Sequence, residues 1–200
     1  HTLTIPKPML PIAGKPIVER LVHDLMKSTE QKIEDIVFVI REDFGKAVEE
    51  KLLQIANDAG TNGVIKYQDV PLGTAHAILC AGDFLEGNLI VAFADTLFRA
   101  DYKIDAAKDG IIWVQKVADP SAFGVVKMNA DGVITDFVEK PKEFVSDLAI
   151  IGIYYFKDGK YFCKNHDPIT FPEKAKLTLY SSDNLKKFPE PVYVLKPFCI

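Results

Sequence analysis

Cysteine is scarce in this 200-residue chain: Cys80, Cys163 and Cys199 are odd in number, widely spaced and without a CxxC pair. Neither a disulfide framework nor a zinc site is suggested by that pattern, and a reducing, cytoplasmic compartment is the expectation. Long apolar runs are missing too. None reaches the roughly 18 residues of a membrane-spanning helix, and no signal peptide is visible in a sequence that starts at His1. An excess of positive charge is also lacking. With 26% charged residues and a net charge of -4, nothing suggests a nucleic-acid or membrane surface, so any phosphate chemistry must rest on a few placed lysines. Internal repeats and low-complexity tracts are absent. What remains, at 48% hydrophobic, is one soluble globular domain large enough to bury a substantial core.

The chain is organised around LIVAFADTLF, residues 89–98, where six apolar residues run up to a single acid, Asp95. Such a run suits one strand buried on both faces and is short for a helix. Asp95 then stands at a strand's carboxyl end, where ligands bind in open α/β sheets. A carboxylate there either starts a turn or holds a hard cation that in turn holds phosphate oxygens.

The opening, HTLTIPKPMLPIAGKPI, has three prolines before Pro16 and reads as an extended loop. Lys7 lies between Pro6 and Pro8, in backbone that does not readily curl, so its ammonium is either solvated or aimed at an anion. From Pro16, apolar Ile17, Leu21, Val22, Leu25 and Met26 recur at helical spacing. His23 falls on the polar side. A buried strand follows at residues 36–40, then an amphipathic helix over about 45–59, a turn at 58–63 and a short strand at 64–68. Next comes QDVPLGTAHAI. Pro71 and Gly73 mark a tight loop, Thr74 is suited to cap the helix beginning at Ala75, and Gly73 permits a close approach. Gln68 carries both a donor and an acceptor, suited to the edge of a base, while His76 reads as a surface or capping residue.

Residues 110–117 form another strand, with Trp113 expected in the core. Residues 123–140 alternate as a hairpin, FGVVKM, NADG, VITDFVEK, beginning near Gly124 and ending at Glu139-Lys140-Pro141. Residues 148–156, LAIIGIYYF, form a buried strand interrupted by Gly152, where a ligand or backbone can come close. Beyond Gly159 the text, rich in proline, shows no sustained period except VYVL at 192–195. It reads as a loop-rich segment, residues 158–200, appended to a catalytic domain at 1–157.

KPMLPIAGKPI, QDVPLGTAHAI, FADTLF, DPSAFGVV, FVEKP and IIGIYYF, in this order, resemble the sugar-1-phosphate nucleotidylyltransferases, most closely the bacterial glucose-1-phosphate thymidylyltransferases. The resemblance spans about residues 1–157. It implies an α/β fold with a mixed, mostly parallel twisted sheet and helices on both faces, similar to dinucleotide-binding folds. It also implies the reaction: a nucleoside triphosphate, dTTP in the nearest relatives, and a sugar 1-phosphate, there glucose 1-phosphate, give a nucleotide sugar and pyrophosphate. Asp95 matches the acid that binds Mg²⁺, and Lys7 the signature-loop lysine near the triphosphate. Gln68 and Gly73 match the base-reading positions. On the sugar side, Lys140 matches the lysine that holds the sugar phosphate and Glu139 the acid that accepts from sugar hydroxyls, while Gly124, Ile150, Gly152 and Tyr154 line the pocket. A homo-oligomer is the expected assembly. Three departures stand out. The glycine-rich GxGxRL loop that precedes Lys7 in the family is not among these residues, as expected of a longer protein. The family's second metal-binding Asp has no match, since Asp167 and Asp183 lack its context. Ala94 stands where many relatives have glycine. Other readings of the same motifs are a uridylyl or cytidylyl transferase and a non-catalytic nucleotide-sugar sensor.

Overall fold

Strand β3 (Asp35–Ile40) sets the layering, because its side chains alternate between two apolar layers. The structure is a computed structural model that describes residues 5–94, 103–130, 132–159 and, as backbone, 177–181. Before β3 come a 3-10 turn at Lys7–Met9, a minimal hairpin of β1 (Pro11–Ile12) and β2 (Lys15–Pro16), and helix α1 (Ile17–Ser28). The extended loop expected at Lys7 is therefore a curl. Pro8 sits early in the turn, where its missing N–H costs nothing, while Met9 N–H donates to Pro6 O (2.9 Å) and Leu10 N–H to Lys7 O (3.0 Å). Arg20 of α1 ties the hairpin down, its guanidinium donating to Ile12 O (2.8 Å) and Ala13 O (2.9 Å).

Helix α2 (Lys46–Asp58) returns the chain to β4 (Asn62–Tyr67), which pairs parallel to β3 from Asp35↔Asn62 to Ile40↔Tyr67. A short helix α3 (Thr74–Leu79) precedes β5 (Leu89–Ala92). Ile36, Phe38 and Ile40 of β3, with Ile90 and Ala92 of β5, pack in one layer with Val18 and Leu21 of α1 and Leu52 and Ile55 of α2. Val37, Val39, Leu89 and Val91 face the opposite layer with Ile78, Ala81 and Leu85. Helices thus cover both faces, as expected.

The rest of the chain builds a second sheet from β6 (Gly110–Lys116), β7 (Gly124–Met128), β8 (Ile134–Glu139), β9 (Leu148–Phe156) and β10 (Leu177–Ser181). Strand β9 pairs antiparallel with β5, β6 and β7, and β7 with β8, while β10 lies parallel to β6. The fold is mixed α/β, yet the ladders among the described residues are not mostly parallel: two are parallel and five antiparallel. The reason is local. A hairpin and a strand that returns alongside it generate antiparallel pairs without any crossover. Strand β10 also corrects the reading of the C-terminal segment as loop, since five of its residues join this sheet. Trp113 is buried in the main core as expected.

Between β3 and β5 lies a cleft of about 690 Å³, walled by residues 35–39 on one side and 88–94 on the other. Among the described residues β3 is paired only with β4, and β5 only with β9. Strand β5 is accordingly half-buried along its length and ends at Ala92, shorter than the run of apolar residues suggested.

Candidate active site

The carboxyl ends of β3, β4 and β5 converge on Ile40. Gln68, the residue after β4, donates its backbone N–H to Ile40 O at 2.9 Å. Pro6, Pro8 and Met9, around Lys7, share a small cavity with Phe38, Ile40 and Ala94. The Lys7 turn, the Gln68 loop and the end of β5 are thus gathered at one edge, the edge where an open α/β sheet takes ligands. Lys7 itself is half-buried. Asp95 lies outside the described residues, as do Asp167 and Asp183. Its neighbour Ala94 is 7% exposed, in the core against the Lys7 turn. Among the described residues no three His, Cys, Asp or Glu side chains gather as a metal site. Mg²⁺ asks for less, one or two carboxylates with substrate oxygens and waters completing its shell.

Gln68 is 2% exposed and fully engaged on its amide nitrogen. Nε2 donates to Gly73 O at 3.0 Å and lies 3.0 Å from His76 Nδ1. Gly73 adopts φ 100°, a conformation that side chains resist, and open space lies where its Cβ would be. Its glycine thus serves the backbone turn and leaves that space open. Gly73 also occupies the N-cap of α3, its carbonyl accepting from Ala77 N–H at 3.2 Å, so Thr74 is the first helical residue and not the cap. Behind Gln68, the Tyr67 hydroxyl donates to Glu49 Oε1 (2.8 Å) and Lys46 Nζ to Glu49 Oε2 (2.8 Å). The Lys46 and then the Tyr67 hydrogen bond hold the Glu49 carboxyl below its ordinary range.

A second group of residues rises from β7, β8 and β9. Gly124 pairs with Glu139 across the hairpin, and a Cβ on Gly124 would lie 2.9 Å from Glu139 Oε2. Glycine therefore leaves the room in which the Glu139 carboxylate rests. Lys140 follows at φ 44°, its N–H donating to Phe123 O (3.0 Å) and its Nζ 3.5 Å from Glu139 Oε1. Both side chains stand in solvent, 67% and 72% exposed. Ile150 and Tyr154 lie on one face of β9, packed with Ile112, Val114 and Val126. The Tyr154 hydroxyl is pushed up to about 12, first by burial and then by the Glu139 charge, so it stays protonated and able to donate.

The second group joins the end of β5 at Phe93, the residue before Ala94. The Phe93 N–H donates to Gly152 O (2.9 Å), and its ring packs edge-on against Tyr154 with centroids 5.9 Å apart. The close approach expected at Gly152 is made by this ring: a Cβ there would lie 2.7 Å from Phe93 Cδ2, and Gly152 sits at φ 78°. Sequence reasoning missed two participants. Phe93 was hidden inside an apolar run, and His76 was read as a surface or capping residue although it is half-buried against Gln68.

Residues 2–170 match the family model described as nucleotidyl transferase. Among curated relatives, the bifunctional protein GlmU of Methanococcus maripaludis is 32% identical over 190 residues, covering 92% of this chain and 42% of that protein. The mannose-1-phosphate guanylyltransferase catalytic subunit beta of Drosophila pseudoobscura is 32% identical over 164 residues, covering 78% and 43%. This chain thus spans less than half the length of these relatives. Among solved structures, a Bacillus anthracis protein assigned as glucose-1-phosphate thymidylyltransferase superposes with a TM-score of 0.76 at 24% identity, covering 90% of this chain and 79% of that one, a likeness of fold. Among the described residues no helix is long and apolar enough to cross a membrane.

Proposed function

The chain belongs to the nucleotidyl transferase family, and from that premise we propose that it joins a nucleoside triphosphate to a sugar 1-phosphate, with dTTP and glucose 1-phosphate as its pair. The observation that supports the reading is that the end of β5 touches both residue groups, Phe93 holding Gly152 and Tyr154 on one side and Ala94 sharing a cavity with Ile40 and the Lys7 turn on the other. Gln68 and Gly73 read the base. Lys7 steadies the triphosphate from the turn beside Ala94. On the other side Lys140 takes the sugar phosphate, Glu139 accepts from sugar hydroxyls in the space Gly124 leaves, and Ile150 and Tyr154 form the apolar floor with Gly152 behind it. Asp95, next along from Ala94, would hold Mg²⁺, which when bound offsets charge on the α-phosphate and the leaving pyrophosphate.

In the reaction an oxygen of the sugar phosphate attacks the α-phosphorus in line, the new P–O bond forms, and the bond to pyrophosphate breaks. The protein's part is to align two anions and lower their repulsion, which Lys7 and Lys140 do from opposite ends. The three scattered cysteines fit a cytoplasmic enzyme. The test is pyrophosphate release by the full-length protein with Mg²⁺ and glucose 1-phosphate, offering dTTP, UTP, CTP, ATP and GTP separately. Preference for dTTP, lost in Asp95→Ala, is the expected result. Release with another triphosphate in first place overturns the dTTP assignment. No release with any, alongside tight binding of a nucleotide sugar, overturns catalysis and leaves a sensor.

A further inference from the structure

Strand β9 carries Ile150, Gly152 and Tyr154 on one face, because side chains two apart along a strand point the same way. Ile150 borders the proposed sugar side directly, its Cδ1 lying 3.6 Å from where a Cβ on Gly124 would stand. Between Ile150 and Tyr154 the glycine leaves a gap one side chain wide. The ladder between β5 and β9 determines what fills it. Its pairs include Val91↔Tyr154 and Ala92↔Ile153, so the next residue, Phe93, stands opposite Gly152, with its N–H on Gly152 O at 2.9 Å. Opposed residues share a face, and the diagonal neighbour is within reach of an aromatic ring. The Phe93 ring accordingly lies over Gly152 and meets Tyr154 with centroids 5.9 Å apart and planes at 68°. On the far side Phe156 stacks on Tyr154 at 6.2 Å with planes 9° apart. Tyr154 is thus held between two rings, one from its own strand and one from the end of β5.

We infer that Phe93 is a positioning residue for the sugar phosphate, acting through Tyr154: its ring fills the gap over Gly152 and fixes the tyrosine ring at the pocket floor. This rests on the reading of Glu139, Lys140, Ile150 and Tyr154 as the sugar side. Phe156 by itself leaves Tyr154 a way to turn toward Gly152, where its own strand offers no side chain to stop it. The edge-to-face contact closes that way and favours one ring position, because the positive edge of one ring must meet the negative face of the other. Glycine at 152 is the condition for the arrangement, since a methyl group there would lie 2.7 Å from Phe93 Cδ2.

The experiment measures KM for glucose 1-phosphate and, separately, for the triphosphate used best, dTTP on the present assignment, in the full-length protein with Mg²⁺. The variants are Phe93→Leu, Phe93→Ile, Phe93→Tyr, Tyr154→Leu and the double variant Phe93→Leu/Tyr154→Leu. Leucine keeps apolar bulk over Gly152 and loses the ring edge, so Phe93→Leu should raise KM for the sugar phosphate about fivefold, the worth of one aromatic pair, and leave KM for the triphosphate unchanged. Phe93→Ile, whose branched side chain suits a strand, repeats the test should the leucine variant fold poorly. Phe93→Tyr keeps the ring edge and should match wild type. Tyr154→Leu should raise KM for the sugar phosphate, and Phe93→Leu added to it should change nothing further, the signature of two residues acting as one unit. Equal rises in both KM values, or effects of Phe93→Leu and Tyr154→Leu that multiply in full, overturn the positioning role while leaving the sugar side where it is. A sugar-phosphate KM unchanged in Tyr154→Leu overturns the sugar-side reading itself.

Discussion

The proposed nucleotide side and the proposed sugar side of this site are built to opposite specifications. Gln68 is buried, held by its backbone to β3 and by its amide to Gly73 and His76, and follows a strand whose last residue, Tyr67, is anchored to Glu49. Glu139 and Lys140 stand in water at a strand end, with 3.5 Å between carboxylate and ammonium. An exposed pair at that distance contributes about 0–1 kcal/mol, so it holds neither side chain in place. Preorganised donors and acceptors discriminate, because a wrong partner leaves buried groups unsatisfied. Mobile charges attract, because they adapt to the anion that arrives. On the proposed assignment, a base would be read by a fixed shape and a sugar phosphate captured by charge.

If that contrast holds, the largest effect comes from Lys140→Ala. Catalytic efficiency with a sugar 1-phosphate should fall about 10²–10³-fold, the typical loss of one electrostatic partner. Added salt should shrink the difference from wild type, as screening demands of exposed charges, whereas the effect of Gln68→Ala should persist across the same salt range. Equal salt dependence for the two variants would break the comparison. Next in size is Gly152→Ala, which forces a side chain onto a residue at φ 78° and into the Phe93 ring. Strain and overpacking together should cost about 2–4 kcal/mol, read as a lowered denaturation midpoint, and should loosen Tyr154 with it.

Smallest is the effect of Glu49→Gln, which sharpens the nucleotide side. Glu49 titrates below its ordinary range because Lys46 and Tyr67 hydrogen-bond its charged form. Its contribution is therefore present above the usual glutamate pKa and lost as pH falls through the lowered folded value. The variant should be less stable than wild type at neutral pH, and the gap should close on acidification. A gap that widened in acid would refute the linkage.

The sequence declared its strands where apolar runs are short and bounded, as at residues 36–40 and 148–156, because burial on two faces leaves no polar residue inside the run. The hairpin from Gly124 to Glu139 was legible through alternation and its NADG turn. Directions of pairing were not, because period-two patterns are the same for parallel and antiparallel neighbours. Residues 177–181 were missed since LTLYS is a short run surrounded by proline and charge, and its partner β6 lies more than sixty residues away. In the site, residue types were legible and their partners were not. No local spacing shows that His76 meets Gln68, or that Phe93 fills the space at Gly152, because the first contact is made by α3 turning back toward the end of β4 and the second by pairing of β9 with the chain leaving β5.

Among the described residues, the cleft between β3 and β5 presents two strand edges to each other across an apolar gap, N–H and C=O groups on both sides. An extended peptide entering it would add to either edge by the pairing that seeds aggregation elsewhere. As the protein is concentrated, strands of neighbouring copies become candidates for that role.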